Sequence, residues 1–238
     1  QHGGYVTLIV GGLLFLVMYT WYRARKIKNR YVEFVRLEHY IPRIQELSND
    51  KSVAKYATHL VYLTKADRPT NVEKQVIDSI LAKKVKRADI YWFVHVNYTD
   101  EPYTMEYRVK ELLDDKVIRV DFDLGFRIQP RINMLFKRVL EEMGDDHELE
   151  FRSKYESIKK GDFHTDICYI LTERILSVEN EFTLRDDLIL DAYFALKRVA
   201  LSDREAFGLD PNLTVVEQMP LVIQQRRELP LKRVGKGV

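Results

Sequence analysis

Apolar residues occur in three kinds of run along this chain, and each kind predicts a different element. The first is unbroken: residues 5–22 carry no charged side chain. At about 1.5 Å per residue the run reaches roughly 27 Å, close to the thickness of a bilayer's hydrocarbon core. A buried helix of a soluble protein would show a polar side over that length, so the run predicts one transmembrane helix. Tyr5 stands at one end and Tyr19, Trp21 and Tyr22 at the other, where amphipathic rings meet lipid headgroups. Arg23, Arg25, Lys26, Lys28 and Arg30 follow at once, and a cluster of this kind stays on the cytoplasmic side, which places the remainder of the chain in the cytoplasm. A cleaved signal peptide would carry positive charge before its apolar stretch, where only Gln1 and His2 stand. With no initiator Met, the chain reads as the C-terminal piece of a longer protein, beginning just before a last membrane helix.

The second kind of run has helical spacing. Ile27, Tyr31, Phe34, Val35, Ile41 and Ile44, interrupted by Pro42, predict an amphipathic connector helix over residues 27–50 that bends near His39. Asn71 is placed to cap a helix whose Val72, Val76, Ile77, Ile80 and Leu81 share one face and whose end is basic at Lys83, Lys84, Lys86 and Arg87. Pro130 opens the clearest helix, with Ile132, Leu135, Phe136, Val139, Leu140 and Met143 on one stripe and Gly144 closing it. Thr183 begins another through Leu201, and Ser202 with Glu205 forms a capping box for a short helix ending at Gly208.

The third kind has the spacing or composition of strands. Residues 58–64 are rich in β-branched and aromatic side chains, and residues 89–99 are apolar on both faces, as a central strand is. With the helix between them they make a parallel crossover unit. Residues 104–113 and 116–126 flank Asp114 and Asp115 as an antiparallel hairpin. Ile118, Val120, Phe122 and Leu124 alternate inward against Arg119, Asp121 and Asp123 on a wet face, so replacing Asp123 should cost little. Residues 166–173 and 213–219 are further strands. The fold class is therefore α/β, a mixed sheet with a parallel crossover unit and an antiparallel hairpin, preceded by one transmembrane helix. The expected division is a membrane helix at 1–26, the connector at 27–50, a cytoplasmic α/β domain at 51–224 and a flexible basic tail at 225–238. Residues 144–163 are polar and without period, and read as a mobile loop.

Composition narrows the function. Lys and Arg number 38 against 36 Asp and Glu, so no global field points to a nucleic acid polymer. The single cysteine, Cys168, excludes an internal disulfide and the usual structural zinc sites, and no cofactor is implied. Phosphate-cradling glycine loops and a Gly-x-Ser-x-Gly elbow are absent, which argues against an enzyme. His164 with Asp166 could ligate a metal and Asp121 with Asp123 could form a carboxylate pair, but solvated charge is the expected role of both sets. His95 interrupts an apolar strand near its C-terminal end, where open α/β sheets place ligands; a histidine bonded to the backbone is the alternative. Gly125, Arg127 and Arg131 precede a helix N-terminus and suggest an anion site, the alternative being solvated arginines.

His2-Gly3-Gly4-Tyr5 and Thr20-Trp21-Tyr22-Arg23, Tyr62-Leu63-Thr64, Gly125-Phe126 and "FGLDPNLTVVEQ" at residues 207–218 follow one another in the order and spacing of a known family. The chain resembles the C-terminal part of KUP-family (KUP/HAK/KT) potassium uptake transporters almost from end to end. It departs from that pattern at Tyr5, at Gln218-Met219 and at Leu171-Thr172-Glu173-Arg174, where the family more often shows Trp, Leu-Gly and Leu-Gly-Arg-Glu. The resemblance implies a membrane-embedded symporter of potassium and protons, whose ion-binding residues lie on helices outside this chain, and a C-terminal part that dimerises and regulates. Because some bacterial potassium importers similar to this one are inhibited by cyclic di-AMP, that nucleotide is the expected ligand of a two-fold dimer. His95 and Asn97, Tyr98 for stacking, and Arg127 and Arg131 for phosphate are its expected contacts. A membrane-anchored enzyme or signalling module and a purely structural dimerisation domain are the competing expectations.

Overall fold

The computed structural model describes residues 4–30, 32–145, 166–176 and 183–221. A long helix α1 (Gly4–Arg30) leads into β1 (Phe34–Arg36), a 3-10 turn and α2 (Ile41–Asn49). Then follow β2 (Lys55–Thr64), β3 (Asn71–Glu73), α3 (Lys74–Asp78), β4 (Arg87–Thr99), β5 (Met105–Leu113) and β6 (Val117–Gly125). The chain continues through α4 (Ile132–Asp145), β7 (Ile167–Leu176), α5 (Leu184–Val199), α6 (Asp203–Ala206) and β8 (Thr214–Leu221). Six strands form one sheet in the order β5-β6-β4-β2-β7-β8, and β1 pairs with β3 apart from it. All neighbours in the large sheet are parallel except the edge strand β5, which runs against β6. The mixed α/β sheet, its crossover unit and its hairpin stand as the sequence pattern predicts, with Asp115 at φ 55° in the hairpin turn, a left-handed position that Asp tolerates.

The expected connector helix over 27–50 is in pieces. α1 stops at Arg30, and Phe34, Val35 and Arg36 pair with Glu73, Val72 and Asn71 as a two-stranded ribbon. The β-branched and aromatic Phe34 and Val35 suit an extended chain, and a partner strand is at hand to satisfy their backbone. For the same reason Asn71 is not a helix cap: it lies in β3, and α3 begins three residues later. The helix after Pro130 runs on to Asp145, so Gly144 lies in its last turn rather than beyond its end.

Two hydrophobic cores lie on the two sides of the sheet. On one, Phe136, Val139 and Leu140 of α4 cover Trp92, Val120 and Leu124, and the rings of Trp92 and Phe136 meet edge to face at 5.1 Å. On the other, Ile44 of α2 and Val76, Ile77 and Ile80 around α3 cover Leu60, Tyr91 and Phe93. A third, small cluster joins α1 to α5 through Ala24, Ile27, Leu190 and Tyr193.

The hairpin has no wet face. Every residue of β6 is buried, including Arg119, Asp121 and Asp123. Arg119 donates to Asp121 at 2.8 Å and to the backbone carbonyls of Ala66, Arg68 and Asn71 at 2.6, 3.0 and 3.2 Å. Asp123 accepts from Arg108 at 2.9 Å and from Asn97 at 3.0 Å. The loop between β2 and β3 has no apolar periodicity to announce it, yet it folds over this face and supplies the acceptors. Asp166 is likewise not simply solvated, because its carboxylate takes the Thr58 amide at 2.8 Å and the Thr58 hydroxyl at 2.5 Å, fastening β7 to β2. His164, the expected loop over 144–163 beyond Asp145 and the basic tail lie outside the described residues.

α1 passes the length and hydropathy test for a membrane span, the only such helix among the described residues. Residues 4–19 are exposed apart from the half-buried Val17, with Leu8, Phe15 and Met18 at least 70% accessible. Burial begins at Thr20 and recurs at Ala24 and Ile27, on the side that meets α5.

Candidate functional site

The parallel strands β2, β4 and β7 all end at one edge of the sheet. From there the chain leaves β2 toward β4 and leaves β7 toward β8, in opposite directions, so the gap between β2 and β7 is a topological switch point where open α/β sheets hold ligands. A cleft of about 650 Å³ opens at that edge. Thr64, Lys65, His95 and Arg174 at the strand ends form one wall, and Lys28 at the foot of α1 with Lys197 of α5 forms the other. Trp21, Phe34, Tyr98, Tyr193 and Phe207 give it flat apolar surfaces.

Its acidic groups are mostly committed. Glu73, almost fully buried, accepts from the Thr64 hydroxyl at 2.6 Å and from the Lys65 amide at 2.7 Å. Glu173 and Asp203 both face Lys197, at 3.7 and 3.6 Å. The cations are less settled. Lys28 donates to the Tyr193 hydroxyl at 2.9 Å and lies 4.5 Å from the centre of that ring, while Arg174 donates to the Gln75 side chain at 3.2 Å. The ammonium of Lys65 makes no hydrogen bond or ion pair among the described residues. Lys65 is open to the cleft's solvent but ringed by protein, and burial, with Arg174 and Lys28 adding to it against Asp203 and Glu73, holds its ammonium below the ordinary lysine value. Burial likewise lowers Arg174, with Glu73 opposing.

The residues singled out from sequence do not form one site within the chain. His95 and Tyr98 line the cleft. The Nδ1 of His95 is 3.1 Å from the Thr64 carbonyl, which can only accept, so Nδ1 carries the proton and Nε2 faces the exposed Asp67 at 3.9 Å. Asn97 turns away to Asp123. Arg127 donates to the Tyr103 hydroxyl at 3.0 Å and lies over that ring, and the exposed Arg131 donates to the Gln129 side chain at 3.5 Å. Gly125 does permit a close approach, but by backbone: an added Cβ would fall 2.4 Å from Glu101 and Pro102. The sequence pattern does not single out Lys65 or Arg174. Lys65 follows the end of a buried strand and was legible by that position, whereas Arg174 lies inside a strand and Lys28 within a cluster ascribed to the membrane boundary.

Among the described residues no three His, Cys, Asp or Glu side chains converge. Cys168 is half-buried, and burial pushes its thiol up to about 11, which keeps it protonated at neutral pH.

The model of the K+ potassium transporter C-terminal domain matches residues 57–223, the stretch that carries nearly all of the six-stranded sheet and the strand-end wall of the cleft but not Trp21, Lys28 or Phe34. The chain belongs to this family. It is similar to a probable potassium transport system protein Kup of Cytophaga hutchinsonii, with 47% identity over 233 residues that cover 98% of this chain and 36% of the relative. The corresponding Kup proteins of Flavobacterium psychrophilum and Clostridium perfringens are 42% and 33% identical over 98% and 99% of the chain, again 36% of each relative. The chain thus spans about a third of the length of these curated relatives, all named as transport proteins and not as enzymes. No solved structure matches it.

Proposed function

We propose that this chain is the C-terminal part of a potassium importer of the cell membrane, in which α1 is the last membrane span and the α/β domain is a cytoplasmic regulatory and dimerisation unit. Potassium is the transported ion and protons the coupled one, with the ion path formed by helices other than α1. A lone helix whose middle, residues 8–18, is Leu, Ile, Val, Phe, Met and Gly offers no side-chain oxygen there for a cation, and its hydroxyls stand only toward its two ends. The observation that carries the regulatory reading is the seam between α1 and α5. The Trp21 and Tyr193 rings meet tilted at 55° with their centroids 4.9 Å apart and Lys28 reaches the Tyr193 hydroxyl, so a change in the domain acts on the foot of the membrane helix.

The regulator we infer is a nucleotide, with cyclic di-AMP as the candidate, and His95 and Tyr98 on the cleft wall as its contacts from one protomer. Asn97, Arg127 and Arg131 lie outside the cleft, so their part in the site depends on the two-fold partner. The test is potassium uptake by a transport-deficient bacterium carrying the transporter that contains this chain. Uptake that collapses with a protonophore, falls with raised cyclic di-AMP, and loses that response when residues 51–224 are removed supports the reading. Uptake indifferent to the nucleotide in a protein that still dimerises would leave the domain a structural dimerisation unit.

A further inference from the structure

We infer that the cleft between the foot of α1 and the ends of β2, β4 and β7 is a phosphate site, in which Lys65, Arg174 and Lys28 hold a phosphate ester while Trp21, Tyr98 and Tyr193 receive the apolar group attached to it. These cations belong to three separate elements, the loop after β2, β7 and α1, that meet only at this edge. Their carboxylate neighbours offset them only in part: the charges of Asp203 and Glu73 act on Lys65 and that of Glu73 on Arg174, with no ion pair to either cation among the described residues. Glu173 and Asp203 converge on Lys197, Glu73 is occupied by Thr64 and the Lys65 amide, and Lys65 itself has no partner among the described residues. Like charges gathered in one concavity repel, and a multivalent oxygen anion relieves that repulsion while accepting several donors at once. A guanidinium and two ammonium groups suit a phosphate better than a carboxylate, which has fewer acceptor positions. The volume, about 650 Å³, lies within the range that holds a nucleotide-sized molecule.

The site deepens the regulatory reading by giving it a set of phosphate contacts that does not include Arg127 or Arg131. It rests on that reading only for its consequence, because Lys28 belongs both to the phosphate set and to the seam with Tyr193 and Phe194. An anion that draws Lys28 toward Lys65 loosens its hold on those rings. Two sources supply the chemistry: a soluble nucleotide, or the headgroup of an anionic lipid beside α1, whose apolar run ends two turns above Lys28.

The experiment uses the chain in lipid nanodiscs, with AMP as the soluble probe and phosphatidylglycerol in place of phosphatidylcholine as the lipid probe, read by calorimetry and by Trp21 emission. AMP binding in phosphatidylcholine discs that weakens about tenfold in both Lys65→Gln and Arg174→Gln, with unchanged melting of the Lys65 variant, assigns the site to a soluble phosphate ester. A Trp21 response to phosphatidylglycerol alone, lost in Lys65→Gln, assigns it to a headgroup. No response to either probe, or responses equal in wild type and both variants, overturns the site. Binding that meets these criteria while potassium uptake ignores the ligand would instead sink the regulatory reading and leave the site standing.

Discussion

On one side of the sheet Trp92 meets Phe136 edge to face in a core whose few polar atoms are each met by a single neutral partner, the Trp92 indole by His59 at 3.2 Å and the Tyr169 hydroxyl by Asn133 at 3.2 Å; on the other, at the same depth, Arg119 lies 1% exposed among carbonyl oxygens. That second side holds another polar cluster as well. Lys86 reaches Glu217 at 2.8 Å and the Ser79 carbonyl at 2.7 Å, and Ser79 also bonds Tyr62 and Glu217 at 2.8 and 2.5 Å. The side under α4 is held by apolar area and packing, which depend little on the exact neighbour as long as volume is kept. The side under α2, α3 and the loop after β2 is held partly by hydrogen bonds that either all form or leave buried charge behind. This second side braces one rim of the cleft, since Arg119 fixes the carbonyls of Ala66 and Arg68 next to Lys65, while Leu63, Val94 and Leu171 on the first side also line it.

The comparison breaks first at its largest members. Replacing Phe136 with Ala should cost about 3–5 kcal/mol as a core truncation, and replacing Arg119 with Ala should cost a similar 3–5 kcal/mol, from the orphaned Asp121 and three unmet carbonyls. The distinguishing variant is the pair Arg119→Met with Asp121→Leu, which removes both charges and should recover much of the loss of Arg119→Ala in urea unfolding. An Arg119→Ala protein within 1 kcal/mol of wild type would mean that this face is wet after all, as its alternation suggests.

Asp123 gives a smaller and sharper test. It has two donors, but one of them, Arg108, is itself exposed, so part of the bond is recovered by water when it breaks. Asp123→Ala should therefore cost about 1–3 kcal/mol, between a silent surface change and the loss of Arg119. A melting temperature equal to wild type would return Asp123 to the surface role expected from sequence.

The same contrast explains what could be read from the chain alone. Ile132 to Met143, Ile118 to Leu124 and the apolar 89–99 were legible because their periods match the elements they form and their partners are also periodic. Arg119, Asp121 and Asp123 have a period too, and it misled, because alternation records that two faces differ and not that one meets water. What covers them is an aperiodic loop, and what cuts the connector at Arg30 is the pairing of Phe34–Arg36 with residues some forty positions away. The cleft was half legible: His95 stands at a strand end within an apolar run, but its walls come from β2, β7, α1 and α5, and only the sheet order brings those together.

The smallest effect belongs to Lys65, and it carries a sign. Its folded value is lowered from 10.5, chiefly by burial, so below that lowered value the folded and unfolded chains are equally protonated at this group. As pH rises from the lowered value to about 10.5, the unfolded chain holds more proton there, and stability gains from this group over that window. Lys65→Gln should remove that gain, leaving the difference between variant and wild type flat at neutral pH and sloped only in the alkaline window, as chemical denaturation at a series of pH values would show. A bound phosphate reverses the preference. It stabilises the ammonium, so AMP binding takes up protons in that window and its heat depends on the ionisation enthalpy of the buffer. A slope identical in wild type and Lys65→Gln would show that the lysine titrates as a free surface group and that nothing in the cleft presses on it.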